Sequence, residues 1–262
     1  MERIEEFRLA APAQARRKRR LSVAFAATEA QVRAAQELRW RVFAEELGAR
    51  LASREPGLDA DRFDPHCEHL LVRDEDSGEV VGTYRLLPPH AARDLGGYYA
   101  ESEFDLTRLE HLRERMVEVG RSCIHPDYRT GGAIALLWSG LARYMLAHGY
   151  RHLAGCASMG MRDGGPGAAA VYRRLREANL APADYRVSAR CRLPLEQLGA
   201  ETPPEAPALL KAYLRCGAWI CGEPAWDPDF NTADFFVLLP MANLAARYAR
   251  HFLGADPGAR VT

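Results

Sequence analysis

Residues 116–133, MVEVGRSCIHPDYRTGGA, constrain the fold more than any other stretch. Met116-Val117-Glu118-Val119 alternates as a buried strand does. His125-Pro126-Asp127-Tyr128-Arg129-Thr130-Gly131-Gly132 then turns the chain into an apolar helix predicted from Ala133 to about His148. A strand, a Gly-rich turn and a helix N-terminus in that order form a βα unit. The turn offers a cradle of backbone N–H groups suited to a phosphate. The same glycines would equally serve an ordinary tight turn. Glu118 and Arg121 sit in or just after the strand. A carboxylate there is costly unless it is paired or used.

Upstream, Leu21–Ala27 reads as a first strand. Thr28 with Gln31 three residues on makes a capping box for a helix to about Leu47, which carries Arg39 and Arg41 beside Trp40. These arginines suit either an anion or a solvated edge. The following loop holds Asp59, Asp61 and Asp64. Three carboxylates this close repel one another unless a cation is near. The cation would be a positively charged substrate, or else the loop is simply solvated; the pattern of a calcium loop is absent. His66-Cys67-Glu68-His69 runs into a strand, where alternate side chains face opposite ways, so no metal site is expected there.

Glu68–Arg73 and Val80–Leu87 form a hairpin around a Gly-containing turn, with Arg85 in its second strand. The aromatic stretch Tyr98–Phe104 suits a substrate wall. Beyond the central helix, His152–Ser158 reads as a strand, Ala168–Ala178 as a helix and Tyr185–Leu193 as an alternating strand. This order predicts an α/β fold, a mixed sheet with helices on both faces. Residues 1–20 form a basic, loosely ordered segment, 21–200 the core and 201–262 a helical and aromatic C-terminal extension packed on that core. Within the extension, Ala208–Cys216 is expected as a helix and Ala233–Pro240 as a strand. Met241–Leu253 is expected as an amphipathic helix.

Formal net charge is zero, so bulk charge names no partner. It is the Arg16–Arg20 run that would meet anionic lipid or an acidic carrier protein, or else be a solvated arm. Six cysteines without a CxxC pair, and an N-terminus without an apolar signal segment, fit reduced thiols in the cytoplasm. No apolar run approaches a membrane span.

The segment Arg129-Thr130-Gly131-Gly132, following a strand that carries Glu118, resembles the acyl-thioester loop of the GNAT acyltransferase superfamily, although Ile134 stands where that pattern has Gly or Ala. Arg39 and Arg41 with Val42-Phe43, the three aspartates, Val80-Val81-Gly82, Tyr84–Pro88 and Glu118-x-x-Arg121 are similar to the acyl-homoserine-lactone synthase branch. Glu118–Arg129, the chain length and the aromatic C-terminal part resemble its sister group, the ornithine N-alpha-acyltransferases. That resemblance implies a GNAT-like fold. It also implies transfer of a 3-hydroxyacyl group from the phosphopantetheine of acyl carrier protein to the α-amine of L-ornithine, giving lyso-ornithine lipid, with no tightly bound cofactor and no metal. Peripheral contact with the inner face of the membrane would follow from such a product.

Under this resemblance Glu118 is the general base, Arg121 its neighbour in catalysis, and Tyr172 of Ala169-x-x-Tyr172 the proton donor to the departing thiolate. Arg39, Arg41, Asp59, Asp61, Asp64 and Arg85 would bind the amino-acid substrate. Tyr128, Arg129, Gly131 and Gly132 would hold the pantetheine arm. An α-ammonium has a pKa of about 8, so a base must take a proton as the amine attacks. Burial would raise Glu118 toward a useful range and Arg121 would lower it. The alternatives are a lactone synthase using S-adenosylmethionine, an N-acyltransferase for another amino acid, and a non-catalytic lipid-surface protein using Arg16–Arg20 and Met241–Leu253.

Overall fold

The computed structural model describes residues 19–51, 53–129, 131–199 and 204–244. Arg16–Lys18 and most of the helix expected over Met241–Leu253 lie outside the described residues; Met241–Asn243 form a 3-10 turn. The chain runs β1 (Leu21–Phe25), α1 (Glu29–Trp40), β2 (Glu68–Asp74), β3 (Val80–Leu87), α2 (Pro89–Asp94) and β4 (Phe104–Asp105). It continues through β5 (Met116–Ile124), α3 (Gly132–Ala147), β6 (His152–Gly160), α4 (Pro166–Asn179) and β7 (Ser188–Ala189). It closes with α5 (Ala208–Cys216), β8 (Trp219–Ile220), β9 (Ala225–Asp227) and β10 (Thr232–Pro240).

The main sheet has the order β1-β2-β3-β5-β6-β10-β8, with β9 also on β10. Among the described strand pairs only β5–β6 is parallel, joined through α3. Alternation along β2 explains the layers. Leu70 and Val72 pack with Leu137 and Leu141 of α3 in one core, while Leu71 packs with Ala35 and Leu38 of α1 in another. Helices therefore cover both faces of a mixed sheet, as the sequence predicts. The cap of α1 is as expected in kind: Thr28 Oγ1 accepts from the Gln31 N–H at 3.3 Å. The Gln31 side chain in turn accepts from the Ala27 N–H at 2.7 Å. From Arg41 to Glu46 the helix widens into a π-helical turn.

Two expectations are corrected. Tyr185–Leu193 is not a strand of the sheet: Ala183–Tyr185 form a 3-10 turn, and only Ser188–Ala189 pair, with β4, outside the main sheet. The place beside β6 is taken by β10, whose run Ala233–Leu239 is almost wholly buried, whereas Arg190, Cys191 and Arg192 are exposed. For the same reason residues after 201 are more than an extension laid on a core. They supply β8, β9 and β10 to the sheet itself.

The site is positioned by a break at the sheet centre. β5 and β6 pair from Met116↔His152 to Glu118↔Ala154 and then part. Just beyond, β5 carries one residue more than β3: Thr83 pairs with Cys123 and Arg85 with Gly120. Arg121 lies in this bulge at φ 51°, a left-handed conformation costly for any residue but glycine.

Candidate active site

A cavity of about 250 Å³ opens where β5 and β6 part. Glu118 to Ser122 form one wall, Tyr84 and Arg85 of β3 a second, and Cys156, Ser158 and Asp234 a third. Tyr99, Phe43 and Phe230 add aromatic surface.

Glu118 is 6% exposed. Its Oε2 accepts from the Tyr99 N–H at 2.6 Å and its Oε1 from the Ala100 N–H at 2.7 Å, so the carboxylate is fixed at both oxygens. Burial raises its pKa from 4.5 to about 7, against the lowering pull of the two N–H groups and of Arg85. Burial thus outweighs the opposing effects. Arg121 does not pair with Glu118. Its guanidinium lies 3.1 Å from Asp59 and 3.5 Å from Asp61, and it stacks over the Tyr99 and Phe230 rings, each 4.9 Å away.

The cation demanded by the three aspartates is supplied by the protein. Arg39, fully buried, bonds Asp59 at 2.9 Å and Asp64 at 2.8 Å; Arg85 bonds Asp61 at 2.7 Å. Asp59 and Asp64 are themselves buried, which rules out a solvated loop. Burial works to raise Asp61, yet Arg85 and Arg121 together hold it below its ordinary value. Three arginines from α1, β3 and β5 thus lock the acidic loop beneath the cavity. Arg41, one residue beyond α1, is exposed and does not line the cavity.

The loop after β5 stands apart. Arg129 forms a two-pronged ion pair with Glu46 at 2.6 and 2.7 Å and donates to the Ile124 carbonyl. The Tyr128 hydroxyl donates to Asp74 at 2.6 Å, and the Arg19 guanidinium lies 3.9 Å above its ring. Gly131, at φ 93°, is the N-cap of α3, whose first residue is Gly132. This leaves the N-terminal amides of α3 able to meet an anion. Tyr172 is buried on α4 and does not line the cavity. Tyr84 does, with its hydroxyl bonded to that of Tyr213 and its pKa pushed by burial to about 12.

The sequence reading gave Tyr84 no role beyond its motif, and it missed Cys156, Asp227 and Asp234. These last three come from β6, β9 and β10 and belong to no local motif. Glu103, Cys156 and Asp234 have side-chain ligand atoms within 4.8 Å of one another, a spacing open to a metal ion. The thiol among them is pushed well above 9 by burial and then by Glu103 and Asp234. No helix among the described residues is long and apolar enough to cross a membrane.

Residues 38–139 match a family described as Acetyltransferase (GNAT) domain. The chain is 37% identical over 254 residues to an L-ornithine N(alpha)-acyltransferase of Brucella abortus, covering 90% of this chain and 89% of the relative. It is 39% identical to one of Rhodobacter capsulatus, covering 85% and 90%. Among solved structures it resembles the acyl-homoserine-lactone synthase LasI with a TM-score of 0.54 at 14% identity, covering 93% of this chain and all of that one. It also resembles FeeM, an N-acyl amino acid synthase from uncultured soil microbes, with a TM-score of 0.54 at 13% identity, covering 86% and 92%. The fold is shared with such structures, and identity above a third over nearly the whole length goes further than fold. The chain is an N-acyltransferase and belongs to the L-ornithine N(alpha)-acyltransferase family.

Proposed function

We propose that this enzyme transfers a 3-hydroxyacyl group from the phosphopantetheine thioester of acyl carrier protein to the α-amine of L-ornithine, with Glu118 as general base. The observation that carries the reading is Glu118 itself: a carboxylate buried at the parting of two strands, beside a cavity, with its pKa raised to about 7. Such a group is poised to take a proton near neutral pH. Each of its oxygens accepts one N–H and keeps a second lone pair free.

In the reaction an N–H proton passes from the amine to Glu118. The nitrogen forms a bond to the thioester carbonyl carbon, the C–S bond breaks, and the pantetheine thiolate leaves. The negative oxygen of the intermediate meets backbone N–H groups of Val119–Ser122, which β6 leaves uncovered. Tyr84, which lines the cavity as Tyr172 does not, is better situated to give a proton to sulfur, and the proton held by Glu118 restores it through solvent to close the cycle. The pantetheine phosphate is received at Gly131–Gly132, with Arg129 and Tyr128 beside it. Arg39 and the aspartates act on the acceptor through Arg85 and Arg121, whose guanidiniums they orient.

The test supplies purified protein with 3-hydroxyacyl carrier protein and L-ornithine, followed by mass spectrometry. The expected products are N-acylornithine and free carrier thiol. A homoserine lactone formed from S-adenosylmethionine instead, or activity only with acyl-coenzyme A, would reject the assignment of acceptor or donor respectively.

A further inference from the structure

The charges around the cavity do not balance. Asp59, Asp61 and Asp64 are answered by Arg39, Arg85 and Arg121, three against three. Glu103, Asp227 and Asp234 form no ion pair with any described residue. Glu103 and Asp234 lie against each other, and their other partners are neutral. Thr232 Oγ1 donates to Asp234 at 2.9 Å, and the Asp229 and Phe230 N–H groups donate to Asp227 at 2.8 and 3.1 Å. Asp234 is 4% exposed and Asp227 9%. Oε2 of Glu103 is closed off from solvent and has no hydrogen-bond partner. Burial, then mutual repulsion with Asp234 and Asp227, raises Glu103, and burial above all raises Asp234. Buried carboxylates so arranged need either protons or a cation.

Position says which cation. Asp227, Asp234 and Cys156 line the same cavity as Glu118 and Arg121. Glu118 stands beside Ala154, and Cys156 lies two residues further along β6 on the same face. Asp234 is opposite Ser158, on that face again. Asp234 is therefore displaced from Glu118 along the same face of the sheet, and Asp227 shares its cavity.

We propose that Asp227 and Asp234, backed by Glu103, bind the side-chain ammonium of the acceptor while Glu118 deprotonates its α-amine, so that this wall selects a dibasic amino acid. The assignment rests on the reading of ornithine as acceptor. An ammonium brings donors to acceptors that β9 and β10 hold on one wall of the cavity. A neutral acceptor leaves the cluster unpaired, which is where discrimination is strongest.

The experiment compares L-ornithine with L-norvaline, the same carbon skeleton lacking the δ-amine, as acceptors for wild type, Asp234→Asn, Asp227→Asn and Glu103→Gln. The readout is the ratio of kcat/KM values for the two acceptors, with calorimetric binding of each amino acid alongside; variants that do not fold are replaced by the remaining ones. The ornithine-to-norvaline ratio is expected to fall ten- to a hundredfold in each folded variant, an amount in keeping with loss of a charged hydrogen bond. A merely structural role would slow both acceptors and leave the ratio in place. A wild-type preference for ornithine that survives Asp227→Asn and Asp234→Asn overturns this proposal alone. Wild type that acylates neither amino acid overturns the ornithine reading and this one with it. Stoichiometric divalent metal in wild type, lost in Asp234→Asn, also overturns it, since the cluster would then be a metal site.

Discussion

Glu118 is pulled two ways, and both pulls can be measured. Burial raises its pKa from 4.5 to about 7, while the Tyr99 and Ala100 N–H groups favour its charged form. As a base it works only when deprotonated, so kcat/KM should climb with pH through about 7 and level off above. Glu118→Gln should lower kcat/KM by about 10²- to 10⁴-fold and abolish that limb. The stability linkage runs the opposite way. A carboxyl whose folded pKa is raised stabilises the fold fully below its unfolded pKa, near 4.5, and loses that contribution as pH rises through about 7. Over that window wild type should lose about 3 kcal/mol relative to Glu118→Gln, at about 1.4 kcal/mol per pKa unit. Urea melts of both proteins at pH 5 and pH 8 check this, and a difference that does not change with pH would reject a perturbed Glu118. The need for such a carboxylate was legible in the sequence, because Glu118 interrupts an apolar alternation. So was the need for a cation near Asp59, Asp61 and Asp64. That the cations are Arg39, Arg85 and Arg121 was not legible as pairing: they arrive from α1, β3 and β5, and only the packed sheet brings them together.

At the scale of elements, the parting of β5 from β6 depends on close backbone approach immediately before it. Gly155 follows Ala154, the last residue paired across the seam, and a Cβ there would collide with the Val119 carbonyl oxygen. Backbone cannot step aside as a flexible side-chain end can. Gly155→Ala should therefore cost about 1–3 kcal/mol of stability and lower kcat by moving Val119 and the amides that follow it. Gly160→Ala, on the same strand where an added methyl meets nothing within 4 Å, should do neither. Equal effects of the two substitutions, in thermal melts and turnover, would remove the seam from the account. The strand–turn–helix at 116–147 was readable because its periodicity changes within a few residues from strand to helix. Tyr185–Leu193 misled for the complementary reason. Its alternation is real, but a strand exists only where a neighbour pairs with it, and β10 holds that position. The bulge at Arg121 left no trace in sequence, since arginine is not the residue that a left-handed backbone position would suggest.

Across the whole molecule, the parallel seam of three residue pairs joins two blocks of sheet, β1-β2-β3-β5 on one side and β6-β10-β8 on the other. The cavity straddles it: Arg85 and Glu118 belong to the first block, Cys156, Ser158 and Asp234 to the second. The first block and its helix were legible as a GNAT-like core. The second was legible only as separate strands at His152–Ser158 and Ala233–Pro240, because most of it is built by residues after 201, beyond a Pro-rich segment that reads as a boundary. A ligand touching both walls must stabilise both blocks together. Ornithine at about one hundred times its Kd would add about 2.7 kcal/mol to the folded state. For a chain of this size that corresponds to a rise in Tm of about 5–10 °C. Calorimetry should show one transition that moves as a whole, because neither block can unfold without opening the cavity. Two transitions, of which ornithine shifts only one, would mean that the acceptor is held by a single wall, and that the seam does not couple the two ends of the chain through the site they share.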